Sequence, residues 1–76
     1  MRKSEFLQEL KDALQGEVSD RVLQENLRYY DDYISQETSA GRSEEEVIEE
    51  IGGPRLIART IIDSSEAAGD IPGQSE

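Results

Sequence analysis

The sequence has no cysteine, no histidine and no tryptophan. Without cysteine, the chain can form neither a disulfide framework nor a thiolate zinc site. Without histidine, it lacks the commonest metal ligand and the commonest general base of enzymes, so its serines have no histidine to activate them. We therefore expect no enzymatic activity and assign no catalytic residue, no metal ligand and no cofactor-binding residue.

Positive charge is also scarce. Eight Lys and Arg residues against eighteen Asp and Glu residues give a formal net charge of −10 over 76 residues. A charge of this sign repels nucleic-acid phosphates and anionic lipid head groups, so we expect no direct binding to nucleic acid. Long apolar runs are missing as well, which predicts no membrane insertion by this segment and a cytoplasmic location.

Apolar residues recur at helical spacing in the first half of the chain. Phe6, Leu7, Leu10, Ala13 and Leu14 predict a first helix over about residues 5–15, with Ser4 as its N-cap. A second helix is predicted from residue 20 to about residue 40, after an N-cap at Ser19 and before a left-handed C-terminal cap at Gly41. Its apolar arc is wide, so we expect this helix to be the central element of the fold.

Two short motifs predict the remaining helices. Ser43 and Glu46 have the spacing of a capping box, in which the Ser43 hydroxyl and the Glu46 carboxylate each accept a backbone amide. Gly52 ends the short third helix, and Pro54 opens a fourth helix at a position where a missing amide hydrogen costs nothing.

The predicted fold is therefore all-α, a small bundle of four helices with a short third helix and a disordered acidic C-terminal tail. We place the helical domain at residues 1–63 and a flexible linker or tail at residues 64–76. The predicted core residues are Leu10, Leu14, Leu27, Tyr30, Ile34, Ile48, Ile51, Ile57 and Ile61.

The ordered set of motifs resembles the HAAS family, the helix-turn-helix-associated α-helical signalling domains. The resemblance rests on residues 3–7 with Leu10, Leu14 and Gly16, on Tyr29, Tyr30 and Tyr33, on residues 41–48, and on Ile51, Gly52, Pro54, Ile57 and Ala58. It implies a regulatory interaction domain at the cytosolic N-terminus of a bacterial protein that continues into a membrane, commonly encoded beside a PadR-like transcriptional regulator. Either this is an excised domain or it is a soluble relative.

Two functions of different classes follow from this resemblance and from the charge. The first is a non-enzymatic signalling domain that binds a protein partner, such as a PadR-like regulator, through an acidic face. The alternative is a structural domain that only solubilises its parent or forms a homodimer. For the first function, the candidate partner contacts are Tyr29, Asp31, Asp32, Glu45 and Glu49.

Overall fold

The computed structural model describes residues 1–69. Within them the chain forms α1 (Lys3–Leu14), α2 (Asp20–Ser39), α3 (Glu44–Ile51) and α4 (Pro54–Ala68). The all-α class, the order of four helices and the short third helix are confirmed. The predicted tail beyond residue 69 lies outside the described residues.

Side-chain caps fix the beginnings of α2 and α3 where the sequence predicts them. The Ser19 hydroxyl accepts a hydrogen bond from the Val22 amide at 3.2 Å, and the Ser43 hydroxyl accepts one from the Glu46 amide at 3.0 Å. The second half of the predicted capping box is wrong, because the Glu46 carboxylate lies 3.9 Å from Arg42 Nη2 rather than on the Ser43 amide. The exposed Glu46 carboxylate is thus oriented toward Arg42 rather than back to the start of α3.

The first helix begins earlier than predicted, at Lys3, and its caps are carboxylates rather than the Ser4 hydroxyl. The Arg2 amide donates to Glu5 at 3.1 Å, and the Lys3 amide donates to Glu44 of α3 at 2.7 Å. The second of these bonds joins residues distant in the chain, so local sequence rules cannot find it.

Glycine provides the turns after α2 and α3. Gly41 has a φ of 105°; its amide donates to the Thr38 carbonyl at 3.0 Å, and the Arg42 amide reaches the Glu37 carbonyl at 3.2 Å. These two bonds form the Schellman pattern, which satisfies the last carbonyls of α2. Gly52 ends α3 at a φ of 111°, and Pro54 then occupies the first turn of α4. The predicted roles of Gly41, Gly52 and Pro54 are confirmed.

The central element is α1, not α2, and this prediction was wrong. Helix α1 packs against each of the other three helices, and Phe6, Leu10 and Leu14 are fully buried along it. Helix α2 packs mainly against α1 and α3. Its wide apolar arc includes residues that only flank the core, so the width of the arc overstated its burial.

The core confirms five predicted residues and corrects four. Leu10, Leu14, Ile34, Ile48 and Ile57 are buried. The residues that are only partly buried at the edge of the core are Leu27, Tyr30, Ile51 and Ile61. The buried apolar residues missing from the predicted core list are Phe6, Val18, Leu23, Val47 and Ala58.

The fourth helix also continues past residue 63, where we placed the start of a flexible linker. It runs to Ala68 and ends at Gly69, whose φ is 77°. Ser65 is buried in this last part, whereas residues 64 and 66–68 are exposed. Small residues such as serine and alanine give little apolar signal, and the sequence pattern therefore ended too early.

Candidate partner-binding surface

Three acidic residues meet at the N-terminal end of α1, where they bind two cations and one backbone amide of the chain itself. Lys3 Nζ lies 2.9 Å from Asp31 Oδ1 of α2 and donates to the Ser35 hydroxyl, also at 2.9 Å. Glu44 of α3 accepts the Lys3 amide, and Glu45 lies 3.6 Å from the amino group of Met1. This junction ties α1 to both α2 and α3.

The charge state of Lys3 follows from this junction. The hydrogen bond to Asp31 raises the pKa of Lys3 above its ordinary value, although partial burial opposes the rise, and the negative charges of Asp31, Glu44 and Asp32 add to it. Lys3 is therefore protonated at neutral pH. It has no lone pair to accept a proton from Ser35, so this Ser–Lys contact cannot work as a nucleophile and base.

A second cluster surrounds Arg42 in the loop between α2 and α3. Arg42 Nη1 lies 2.7 Å from Glu50 and 3.1 Å from Glu37, and Nη2 lies 3.9 Å from Glu46. The hydrogen bonds to Glu50 and then Glu37 raise the pKa of Arg42, so the guanidinium keeps its charge at any ordinary pH. One cation thus holds the end of α2 against the outer side of α3.

Sequence reasoning missed Lys3 and Arg42 as organising residues. Arg42 had a signal that could have found it, because Glu46 and Glu50 follow at intervals of one helical turn on α3. Lys3 had no such signal, because Asp31 and Ser35 lie on a different helix.

The tyrosines divide between the core and the surface. Tyr30 packs edge-on against Phe6 with ring centroids 5.8 Å apart, and burial raises its pKa, with a smaller contribution from Tyr29. Tyr29 is 60% exposed and stacks with Tyr33, with ring centroids 6.5 Å apart and planes 10° from parallel. Tyr29 is therefore available to a partner, whereas Tyr30 supports the fold.

The predicted acidic contacts fall into two groups. Asp31 and Glu45 belong to the junction at the start of α1, and Asp31 holds Lys3. Asp32 and Glu49 are exposed, on α2 and α3 respectively. The role of all of these residues, and of Tyr29, in binding a partner stays a prediction.

A cavity lined by apolar residues and by Glu45 and Glu49 lies at the turn between α3 and α4. It has a volume of about 510 Å³, and its lining also includes Met1, Ile48, Gly52, Gly53 and Pro54. Leu56 lies close to this turn and is 64% exposed. We call this region the acidic cavity, because both of its charged side chains are glutamates.

No group of three or more acidic side chains within residues 1–69 could hold a metal ion. In the same part of the chain, no helix combines the length and the hydropathy that crossing a membrane requires.

These features define a small helical domain whose candidate binding surface combines charged and exposed apolar side chains. The family model of HAAS matches residues 5–60 of the 76-residue chain, and the chain belongs to the HAAS family. Membership indicates a small signalling and interaction domain. No curated protein and no solved structure gives a significant match to the chain.

Proposed function

We propose that this HAAS domain is a non-enzymatic interaction domain in bacterial transcriptional regulation and that its partner is a PadR-like regulator. In this proposal it forms the cytosolic N-terminal part of a membrane protein. Membership of the HAAS family and the resemblance of the motifs support this proposal. The observation that carries the binding mode is the acidic cavity between α3 and α4.

The chemistry of the acidic cavity suits the DNA-binding face of a regulator. Such a face must be basic to bind phosphates, and a domain with a net charge of −10 attracts it over long range. The cavity adds an apolar floor at Met1 and Ile48, which can desolvate one anchoring side chain of the partner beside Glu49. Glu45 on the other side of the cavity is shared with the amino group of Met1. The domain would then compete with DNA for the regulator.

Asp32 and Tyr29 form a second part of the proposed contact. They lie three residues apart on α2, and residues at this spacing are neighbours on a helix surface. Tyr29 is exposed and could act as an aromatic anchor beside Asp32. Asp31 is a poor contact in comparison, because its carboxylate is engaged by Lys3.

The alternative function is self-association, and the stack of exposed Tyr29 on partly buried Tyr33 is the observation that favours it. Two copies could pack these rings against each other across a two-fold axis. Size-exclusion chromatography with light scattering distinguishes the two functions. A stable dimer with no affinity for a regulator would support self-association.

The test uses the PadR-like regulator encoded beside the gene and a labelled operator DNA in a competition assay. We expect the domain to release the DNA, and we expect Asp32→Lys and Glu49→Lys to weaken this effect. Glu66→Lys on α4 makes the same charge change away from the acidic cavity and is the matched control. Asp31→Lys is unsuitable, because it would place a second cation against Lys3 and disturb the fold.

Salt provides an independent arm of the same experiment. The Debye length falls from about 10 Å at 0.1 M salt to about 3 Å at 1 M, so binding steered by charge should weaken steeply over this range. If neither salt nor the charge reversals change the release of DNA from the regulator, recognition uses an apolar surface. That result would refute the acidic cavity as the binding site.

A further inference from the structure

A second groove, between α1 and α2, has the opposite chemical character. Leu7 of α1 and Leu27 of α2 are partly buried and form its apolar floor. Its volume is about 590 Å³, and its lining includes Lys11, Arg21 and Arg28. Three of the eight basic residues of the chain therefore line one groove of a protein that is otherwise acidic. We call it the basic groove.

The two acidic residues of the basic groove cancel only part of its positive charge, because one pairs with Arg21 of the groove and the other with Lys3 outside it. Glu25 lies 3.6 Å from Arg21, and Asp31 lies 2.9 Å from Lys3. Lys11 and Arg28 have no carboxylate partner among residues 1–69. Both side chains are exposed, so two cations stand unneutralised beside the leucine floor.

The shape of the basic groove suits a helix. Its lining residues follow one side of each of the two helical walls, and on α2 they extend from Arg21 to Asp31. Ten helical steps at 1.5 Å give a length of about 15 Å, which matches about three turns of a helix laid alongside. An amphipathic helix docked between two others is a common form of recognition.

We propose that the basic groove binds an acidic amphipathic helix of a partner protein. The apolar stripe of that helix would pack on Leu7 and Leu27, and its carboxylates would pair with Lys11 and Arg28. This surface is separate from the acidic cavity and requires a partner of the opposite charge. It would let one small domain hold two different segments at once.

Charge complementarity favours an acidic helix over a second copy of the chain as the ligand of the basic groove. Two copies with a net charge of −10 each repel one another as whole bodies. A short acidic helix carries only its local charge to Lys11 and Arg28. Because the Debye length at physiological salt is about 8 Å, the distant acidic residues of the domain are screened while the direct pairs remain.

The test measures binding of a fluorescein-labelled synthetic peptide by fluorescence anisotropy. The peptide has about 15 residues, enough for a short helix, with leucines at helical spacing and glutamates at the other positions. We expect the peptide to bind the wild-type domain, and a version with lysines in place of the glutamates to bind at least tenfold more weakly to the same site, since like charges then meet. Amide shifts in NMR spectra should place the acidic peptide against Leu7 and Leu27.

Charge reversals identify the groove. We expect Lys11→Glu and Arg28→Glu each to weaken binding of the acidic peptide by about tenfold or more, because each replaces an attraction by a repulsion. Arg55→Glu on α4 makes the same change at another exposed cation and should leave binding unaltered. The melting curve of each variant by circular dichroism confirms that it is folded.

Three results would overturn the proposal. The first is no binding of the acidic peptide at millimolar concentration. The second is binding that Lys11→Glu and Arg28→Glu leave intact, or that Arg55→Glu weakens equally. The third is a dimer that both groove variants dissociate, which would assign the groove to a second copy. All of these tests omit the regulator, so their failure leaves the proposed function standing.

Discussion

Truncation of Leu10 to alanine tests the placement of α1 at the centre of the fold. Leu10 is fully buried in the helix that packs against the other three. Removal of a buried leucine side chain costs the lost transfer free energy and leaves a cavity, together about 3–5 kcal/mol. A domain of this size has a total stability of about 3–5 kcal/mol. We therefore expect Leu10→Ala to be largely unfolded at room temperature.

Leu27→Ala is the matched comparison, because it makes the same chemical change on α2. Leu27 is only partly buried and lines the basic groove, so little cavity forms and the cost should be about 1 kcal/mol. With a urea dependence of about 1 kcal/mol per M for a small protein, its unfolding midpoint should fall by about 1 M. Leu56→Ala removes a leucine that is 64% exposed and should change the midpoint very little.

Urea unfolding gives the midpoint of each of the three variants. Circular dichroism at 222 nm follows the transition, because helices give a strong signal at this wavelength. We expect the order Leu10→Ala, Leu27→Ala, Leu56→Ala from most to least destabilised. If Leu27→Ala costs as much as Leu10→Ala, then α2 is the central element and the packing described above is incorrect.

Three further predictions concern the charged clusters and the turn. Arg42→Gln should lower the urea midpoint, and less so at high salt, because it leaves Glu37, Glu46 and Glu50 without their shared cation. Gly52→Ala should destabilise the fold by about 1–2 kcal/mol, because alanine disfavours the left-handed backbone at this position. The added Cβ would lie 3.5 Å from Leu56, an ordinary contact, so no steric clash adds to this cost. Gly52→Asn should cost less, because asparagine tolerates the left-handed conformation better. Stability should fall as pH rises past about 10. Folding raises the pKa of Tyr30 from its ordinary 10.0 and that of Lys3 from its ordinary 10.5. Above these values the folded state still holds protons that the unfolded chain has lost, so rising pH favours unfolding. Urea midpoints at alkaline pH should fall less for Tyr30→Phe and Lys3→Gln than for the wild-type domain.

The features that could be predicted from the sequence are those set by neighbours along the chain. Ser19 and Ser43 cap helices by accepting amides three residues ahead, and Gly41 closes a turn with bonds inside one short segment. Each of these interactions has a fixed spacing, so the residue type and its position determine the structure. The boundaries of α2 and α3 followed from them.

The features that could not be predicted depend on which helices meet. The stripe of α2 shows which side of that helix is apolar, but the number of helices that cover it is a property of the assembled bundle. In the same way, Lys3 meets Asp31 across 28 positions of sequence, and only the packing of α1 on α2 brings them together. The basic groove was missed for this reason, since Lys11 and Arg28 are unremarkable in their own helices.

The internal pairing changes the meaning of the net charge of −10. Asp31, Glu37, Glu44 and Glu50 each bind a group of the chain itself, and these contacts hold α1, α2 and α3 together. Salt therefore acts on the fold and on partner binding at once. A binding constant that falls with salt reports recognition only where the urea midpoint at the same salt shows an intact domain. For that reason the charge reversals at Asp32 and Glu49, which lie outside these internal pairs, are the decisive variants for the acidic cavity and its surroundings.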